Sequence, residues 1–172
     1  MNKDIMTPIL VLTLVCLLMS GALAAGYALT GPVIEKAAAE RTEAAVRGVM
    51  PDADGFKLIE AEGLPGTVET VYKTTNNAGY VFIVTASGYG GDIRIICGVD
   101  TDGKITKCAA LSHSETKGLG TLVIDREHNY SGKDKNLTGI DAVSGATITS
   151  NAYKNGVLDV FKAYEIIKGA GL

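Results

Sequence analysis

From Ile5 to Ile34 the chain carries no Asp, Glu, Lys, Arg or His. Within that run, Ile9 to Leu29 (ILVLTLVCLLMSGALAAGYAL) is long enough to cross a bilayer as a helix. About 20 apolar residues rising about 1.5 Å each match a hydrocarbon core of about 30 Å. Pro8 sits near the start of the run, where a missing N–H is tolerated. A cleaved leader is the competing reading, since Ala22-Leu23-Ala24 has the small-residue spacing of a cleavage site. The apolar character continues through Tyr27, Leu29 and Val33, which favours a retained span in the lipid bilayer. The expected organisation is a short tail over 1–8, a transmembrane helix over 9–30, a helical stalk over 31–50 and a folded domain over 51–172.

Lys3 and Asp4 are the only charged residues before Glu35, so the remainder carries the whole net charge of −3. That remainder is long enough to bury one core. Its mild acidity provides no electrostatic footprint for nucleic acid and argues against a phosphate-backbone partner. Orientation is ambiguous from charge. Lys36, Arg41 and Arg47 follow the span and would hold the domain in the cytoplasm, yet long domains translocate largely regardless of charge. The three cysteines are Cys16, inside the apolar run, then Cys97 and Cys108, with no Cys-x-x-Cys or Cys/His ligand spacing. Cys97 and Cys108 flank the turn-like Asp100-Thr101-Asp102-Gly103 and fall on adjacent strands. Two buried free thiols are the favoured reading there, with a disulfide as the alternative.

Val33 to Val49 is rich in strong helix formers and stops at Met50-Pro51, because a residue before proline disfavours helix. Strand-like runs follow at Phe56–Glu60, Val68–Thr74, Tyr80–Ala86, Ile93–Val99 and Ile105–Leu111. They are separated by Leu64-Pro65-Gly66, Asn76-Asn77-Ala78-Gly79, Gly88-Tyr89-Gly90-Gly91 and Asp102-Gly103, the punctuation of an antiparallel meander. From Ser150 to Lys168, Tyr153, Val157, Phe161 and Tyr164 recur at helical spacing and form one apolar stripe. Thr149 or Ser150 is the expected cap and Gly169 the expected stop. Strands followed by a packing helix read as an α+β domain.

The chemistry-bearing stretch is Asp141-Ala142-Val143-Ser144-Gly145-Ala146-Thr147-Ile148-Thr149-Ser150. Small residues and hydroxyls lead straight into a helix start, where free N–H groups and the positive end of the helix dipole favour a phosphate. Gly145 and Ala146 permit close backbone approach. The plain alternative is that Ser/Thr clusters before helices only cap them.

Asp141 to Thr147 resembles the flavinylation motif of the FMN-binding domain family. That family includes the G-type subunit of the Rnf complex and the C-type subunit of the sodium-translocating NADH:quinone oxidoreductase. Leu111 to Gly120 (LSHSETKGLG) resembles the family's His-x-Glu-Thr-Pro-Gly-Leu-Gly segment, with Lys117 in place of the proline that would stiffen the turn. Gly88-Tyr89-Gly90-Gly91-Asp92-Ile93 resembles its glycine-rich strand start. Three motifs in the family's order, with the amino-terminal span, cover nearly the whole chain.

The resemblance implies FMN joined through its phosphate to the hydroxyl of Thr147, installed by a separate flavin transferase that uses FAD and recognises the segment containing Asp141. Ser144, Gly145 and Ala146 would surround the attachment point. Thr149 and Ser150 would steady the phosphate, and Glu115 and Thr116 would bond the ribityl or ring edge. Gly118 and Gly120 would admit the ring, with Leu119 packed on it. The implied protein is an electron-transfer subunit of an ion-translocating ferredoxin:NAD⁺ oxidoreductase, working with other membrane subunits and placing its domain on the extracytoplasmic face. The short chain favours the G type over the C type; a tethered flavin sensor or lone carrier is the other class.

Other local patterns weigh less. Ser112, His113 and Glu115 are sequence neighbours, which rarely make triad geometry. Asp100-x-Asp102-Gly103 lacks the later ligands of a calcium loop and reads as a hairpin turn. Asn129-Tyr130-Ser131 and Asn136-Leu137-Thr138 fit a glycosylation pattern and read as surface loop.

Overall fold

The computed structural model describes residues 3–171, as two compact units, Met1–Arg41 and Thr42–Leu172. The first unit is helical throughout its described part. Helix α1 runs Lys3–Val49 and contains Pro8 and Pro32. It therefore begins before the apolar run expected to start it, and Pro8 lies inside the helix rather than in its first turn. Ile9, Leu12, Leu17, Leu18 and Leu23 are among many large side chains left exposed along it, and it is long and apolar enough to cross a membrane. Two of its hydroxyls turn inward: Thr13 Oγ1 donates to Ile9 O (2.8 Å) and Thr30 Oγ1 to Gly26 O (2.9 Å). Such self-satisfaction suits a helix surrounded by hydrocarbon, where no water can accept those protons.

The second unit is built on five antiparallel strands in the order β1-β2-β3-β4-β5. They span Phe56–Ile59, Val68–Thr74, Gly79–Ser87, Asp92–Asp100 and Ile105–Ser112. Each expected strand is present, within a residue or so at each end. The Asp100–Gly103 turn is a hairpin: Gly103 N–H donates to Asp100 O (3.1 Å), and Asp100 Oδ1 accepts from the N–H groups of Asp102 and Lys104.

One face of the sheet lies under helix α3, Thr147–Ala170. The expected stripe is what packs: Tyr153, Val157, Phe161 and Tyr164 are all buried, joined by Val160 and Ile167. Each such side chain contributes about 1.5–3 kcal/mol when fully buried. Gly156 faces the sheet, where an added Cβ would lie 3.1 Å from Ile95 Cδ1. The helix–sheet distance is thus set by a residue without a side chain. The opposite face carries Val81, Ile83 and Ile96, covered by Val46, Val49 and Met50. Thr106 Oγ1 donates to Val49 O (2.7 Å), satisfying a carbonyl that the end of α1 leaves open. The compact unit begins at Thr42.

Three expectations need correction. Cys97 and Cys108 are not free thiols. They face each other directly in the β4–β5 register, with Cα atoms 4.2 Å apart, and form a disulfide. Helix α3 starts earlier than Ser150, and its stop is Gly171, in the left-handed conformation (φ 71°), rather than Gly169. The two glycosylation-like segments are not plain surface loop, because Tyr130 and Leu137 at their centres are buried in the main core. Between β5 and α3 the chain also forms a short helix α2, Thr121–Ile124, and a 3-10 turn, Glu127–Tyr130, which no periodicity announced.

Candidate functional site

A tight turn places Thr147. Ala146 N–H donates to Val143 O (3.0 Å), and Gly145 adopts φ 81°, the value required at the third position of a type II turn. Ser150, one turn into α3, holds this turn from beneath: its Oγ accepts Val143 N–H and donates to Ala146 O, both at 2.9 Å. No side chain caps α3, and the first N–H with an intrahelical acceptor is that of Ser150, to Ala146 O (2.9 Å). The preceding N–H groups, on Thr147, Ile148 and Thr149, are the open donors of a helix start. Thr147 is exposed, and among the described residues its hydroxyl has no hydrogen-bond partner.

Thr149 and Ser150 therefore serve differently from the expectation. Both are buried, and neither caps the helix. Thr149 Oγ1 donates to Glu115 Oε2 (2.8 Å). Glu115, also buried, accepts Gly90 N–H through Oε1 (3.2 Å). An added Cβ at Gly88 would sit 2.1 Å from Oε1, and one at Gly120 2.3 Å from Oε2. The three stretches singled out in the sequence, 88–91, 111–120 and 141–150, thus converge on one carboxylate. Any side chain at Gly120 would enter the space that Glu115 occupies.

The turn at Lys117 forms without proline. Leu119 N–H donates to Thr116 O (3.2 Å), Gly118 takes φ 80°, and Thr121 Oγ1 accepts Gly118 N–H (2.9 Å).

Between these loops and the start of α3 lies a cleft of about 420 Å³, lined by Tyr89, Glu115, Thr116, Leu119, Gly120, Gly145, Ala146, Thr147, Ile148 and Thr149. That volume is within the ~300–1,000 Å³ typical of small-ligand sites. Of the residues predicted from sequence, Ser144, Gly118, Ser150 and Asp141 do not line it. Ser150 and Asp141 border a separate polar hollow of about 210 Å³, with Arg126, Asn129 and Lys154. Beside that hollow, burial pushes the Tyr130 hydroxyl up to about 12 and raises Glu127 above the usual carboxylate value.

Tyr89 and Ile148 carry no role in the sequence reading, yet they are 71% and 58% exposed at the cleft, alongside Leu119 at 48%. Large apolar side chains left open together at a concave site mark a binding surface. The legible signal is Ile148, an apolar residue off the helical stripe.

The cleft fits FMN by its own features. It offers a free hydroxyl at a helix start, open backbone donors for a phosphate and an apolar rim for a flat ring.

Comparison with known proteins agrees with this placement. The model of the FMN-binding domain matches residues 88–162, which contain every cleft residue. The G-type subunit of the proton-translocating ferredoxin:NAD(+) oxidoreductase complex of Clostridium ljungdahlii is 29% identical over 170 residues, covering 92% of this chain and 90% of that protein. Its counterpart in the ion-translocating oxidoreductase complex of Methanosarcina acetivorans is 29% identical over 168 residues, 88% and 89% of the two chains. The corresponding protein of Haemophilus influenzae is 30% identical over 143 residues, 69% of each. The chain belongs to the family of G-type subunits of ion-translocating oxidoreductase complexes.

Proposed function

We propose that this chain is the electron-transfer subunit of a membrane-bound ion-translocating ferredoxin:NAD⁺ oxidoreductase, carrying FMN as a phosphoester on Thr147. The observation that carries this reading is the unpartnered Thr147 hydroxyl at the first position of α3, inside the cleft. When bound, FMN supplies the redox chemistry and the protein supplies position and electrostatics.

Several cleft residues have a physical task. The N–H groups of the first α3 turn face a phosphate and favour its negative charge. Tyr89, Leu119 and Ile148 offer apolar surface to a ring and exclude water from it. Thr116 presents a polar group at the same wall, and Gly145 lets the backbone turn tightly enough to point Thr147 into the cleft. In the attachment step, Thr147 Oγ forms the new bond to the flavin-side phosphorus of FAD. The phosphoanhydride bond breaks, AMP leaves and the hydroxyl proton passes to solvent. A separate flavin transferase catalyses this exchange and recognises the exposed segment around Asp141.

Residues 9–30 act as the membrane span and 31–50 as a helical stalk, whose last residues from Thr42 belong to one compact unit with the FMN-binding domain over 51–172. The domain is joined to other membrane subunits of the complex. The Cys97–Cys108 disulfide supports an extracytoplasmic location for that domain, since such bonds persist in oxidising compartments. Coexpression with a flavin transferase should add one FMN phosphoryl group to the polypeptide, seen as flavin fluorescence that survives denaturing electrophoresis. Thr147→Ala should abolish it while leaving the fold intact by circular dichroism. An adduct that persists in Thr147→Ala would overturn the assignment.

A further inference from the structure

Among the residues lining the cleft, the only formal charge is the Glu115 carboxylate. Its side chain is nearly sealed, at 8% exposure. Both oxygens act as acceptors, Oε1 from Gly90 N–H and Oε2 from Thr149 Oγ1. No cation offsets it in the cleft wall. Lys117, on the same loop, is exposed and does not line the cleft. His113 Nδ1 accepts the Glu115 N–H (3.3 Å). Gly88 and Gly120 lack the side chains that would displace the carboxylate.

We propose that Glu115 sets the reduction potential of the site: its fixed negative charge makes a bound flavin harder to reduce. This rests on the reading of the cleft as the FMN site. Reduction adds negative charge to the cleft, and a fixed anion behind an apolar rim opposes it more strongly than it would in water. Thr149 moderates the effect, because its hydroxyl partly neutralises the carboxylate. Glu115 is therefore both the latch that joins three loops and the electrostatic control of the cofactor. The two roles separate experimentally, because a latch responds to lost hydrogen bonds and a charge responds to its sign.

The test uses the full chain, coexpressed with a flavin transferase and titrated spectroelectrochemically in detergent. Glu115→Gln keeps the shape and removes the charge. It should shift the redox equilibrium roughly tenfold toward reduced flavin, a positive displacement of about 59 mV for one electron. Thr149→Val keeps the charge and removes its donor, and should shift the equilibrium the other way, by a few-fold. A flavin-loaded Glu115→Gln protein with the wild-type potential would overturn the proposal, as would a Thr149→Val shift in the same direction as Glu115→Gln. If Glu115→Gln takes up no flavin, the sign of the Thr149→Val shift decides alone. A wild-type protein without covalent FMN would instead refute the proposed function, a different result from loaded proteins whose potentials do not move.

Discussion

At the scale of single residues, the site depends on which side chains are missing as much as on those present. Gly120 has a helical φ of −61°, so alanine would meet no backbone strain there. Only space forbids it, with Glu115 Oε2 2.3 Å from the position of a Cβ. Gly120→Ala should cost roughly 1–3 kcal/mol by overpacking, measured by urea denaturation, and should reduce flavin incorporation in the same samples. Glu127 makes a separate, pH-dependent contribution. Burial is the main cause of its raised value, opposed by the N–H of Ala110 at 2.8 Å. A carboxyl raised on folding binds its proton more tightly in the native state. It therefore favours the folded form below its unfolded value, and this advantage is lost as pH rises through the folded value. Glu127→Gln, which stays neutral, should flatten the decline in stability between mildly acidic and neutral pH. Thermal melts across that range give the comparison; an unchanged slope would refute the assignment.

At the scale of elements, the turn Thr116–Leu119 accepts a change that the rest of the site does not. Lys117 holds its second position, where proline fits the backbone without strain. Lys117→Pro should stabilise the domain by about 0.4–1 kcal/mol by restricting the unfolded chain, and leave flavin attachment intact. The β4–β5 disulfide is another local constraint. Replacing both Cys97 and Cys108 with alanine should lower stability by about 2–4 kcal/mol, read from chemical denaturation against the oxidised protein. Much at this scale is readable in the sequence. The strands announce themselves through β-branched runs between glycine and asparagine turns, and α3 through the stripe from Tyr153 to Tyr164. The start of α3 misleads because Thr149 and Ser150 look like caps, whereas their hydroxyls reach Glu115 and the Val143–Ala146 turn. The pairing of Cys97 with Cys108 depends on strand register, which the bulge between Gly98 and Val99 offsets. Short helix α2 and the neighbouring 3-10 turn lack the length for a period to show.

At the scale of the whole molecule, an apolar helix and a cofactor-sized cleft occupy one short chain. The uncharged run through Ile34 and the motif ending at Thr147 make both legible in sequence. What the sequence hides is convergence. Nothing in the spacing of Gly88, Gly90, Glu115, Gly120 and Thr149 states that one carboxylate touches all of them, since the meander brings them together only after β3, β4 and β5 have paired. Tyr89 and Ile148 escape notice for the same reason, because exposure at a cleft is a property of the fold. Flavin fixed at a single atom is the central claim. Proteolytic digestion of the protein, matured with a flavin transferase, followed by fragmentation mass spectrometry of the peptide spanning Asp141 to Lys154, measures this directly. One FMN phosphoryl group on Thr147 is the predicted result; an unmodified peptide, or the group on Thr149 or any other residue of it, would contradict it.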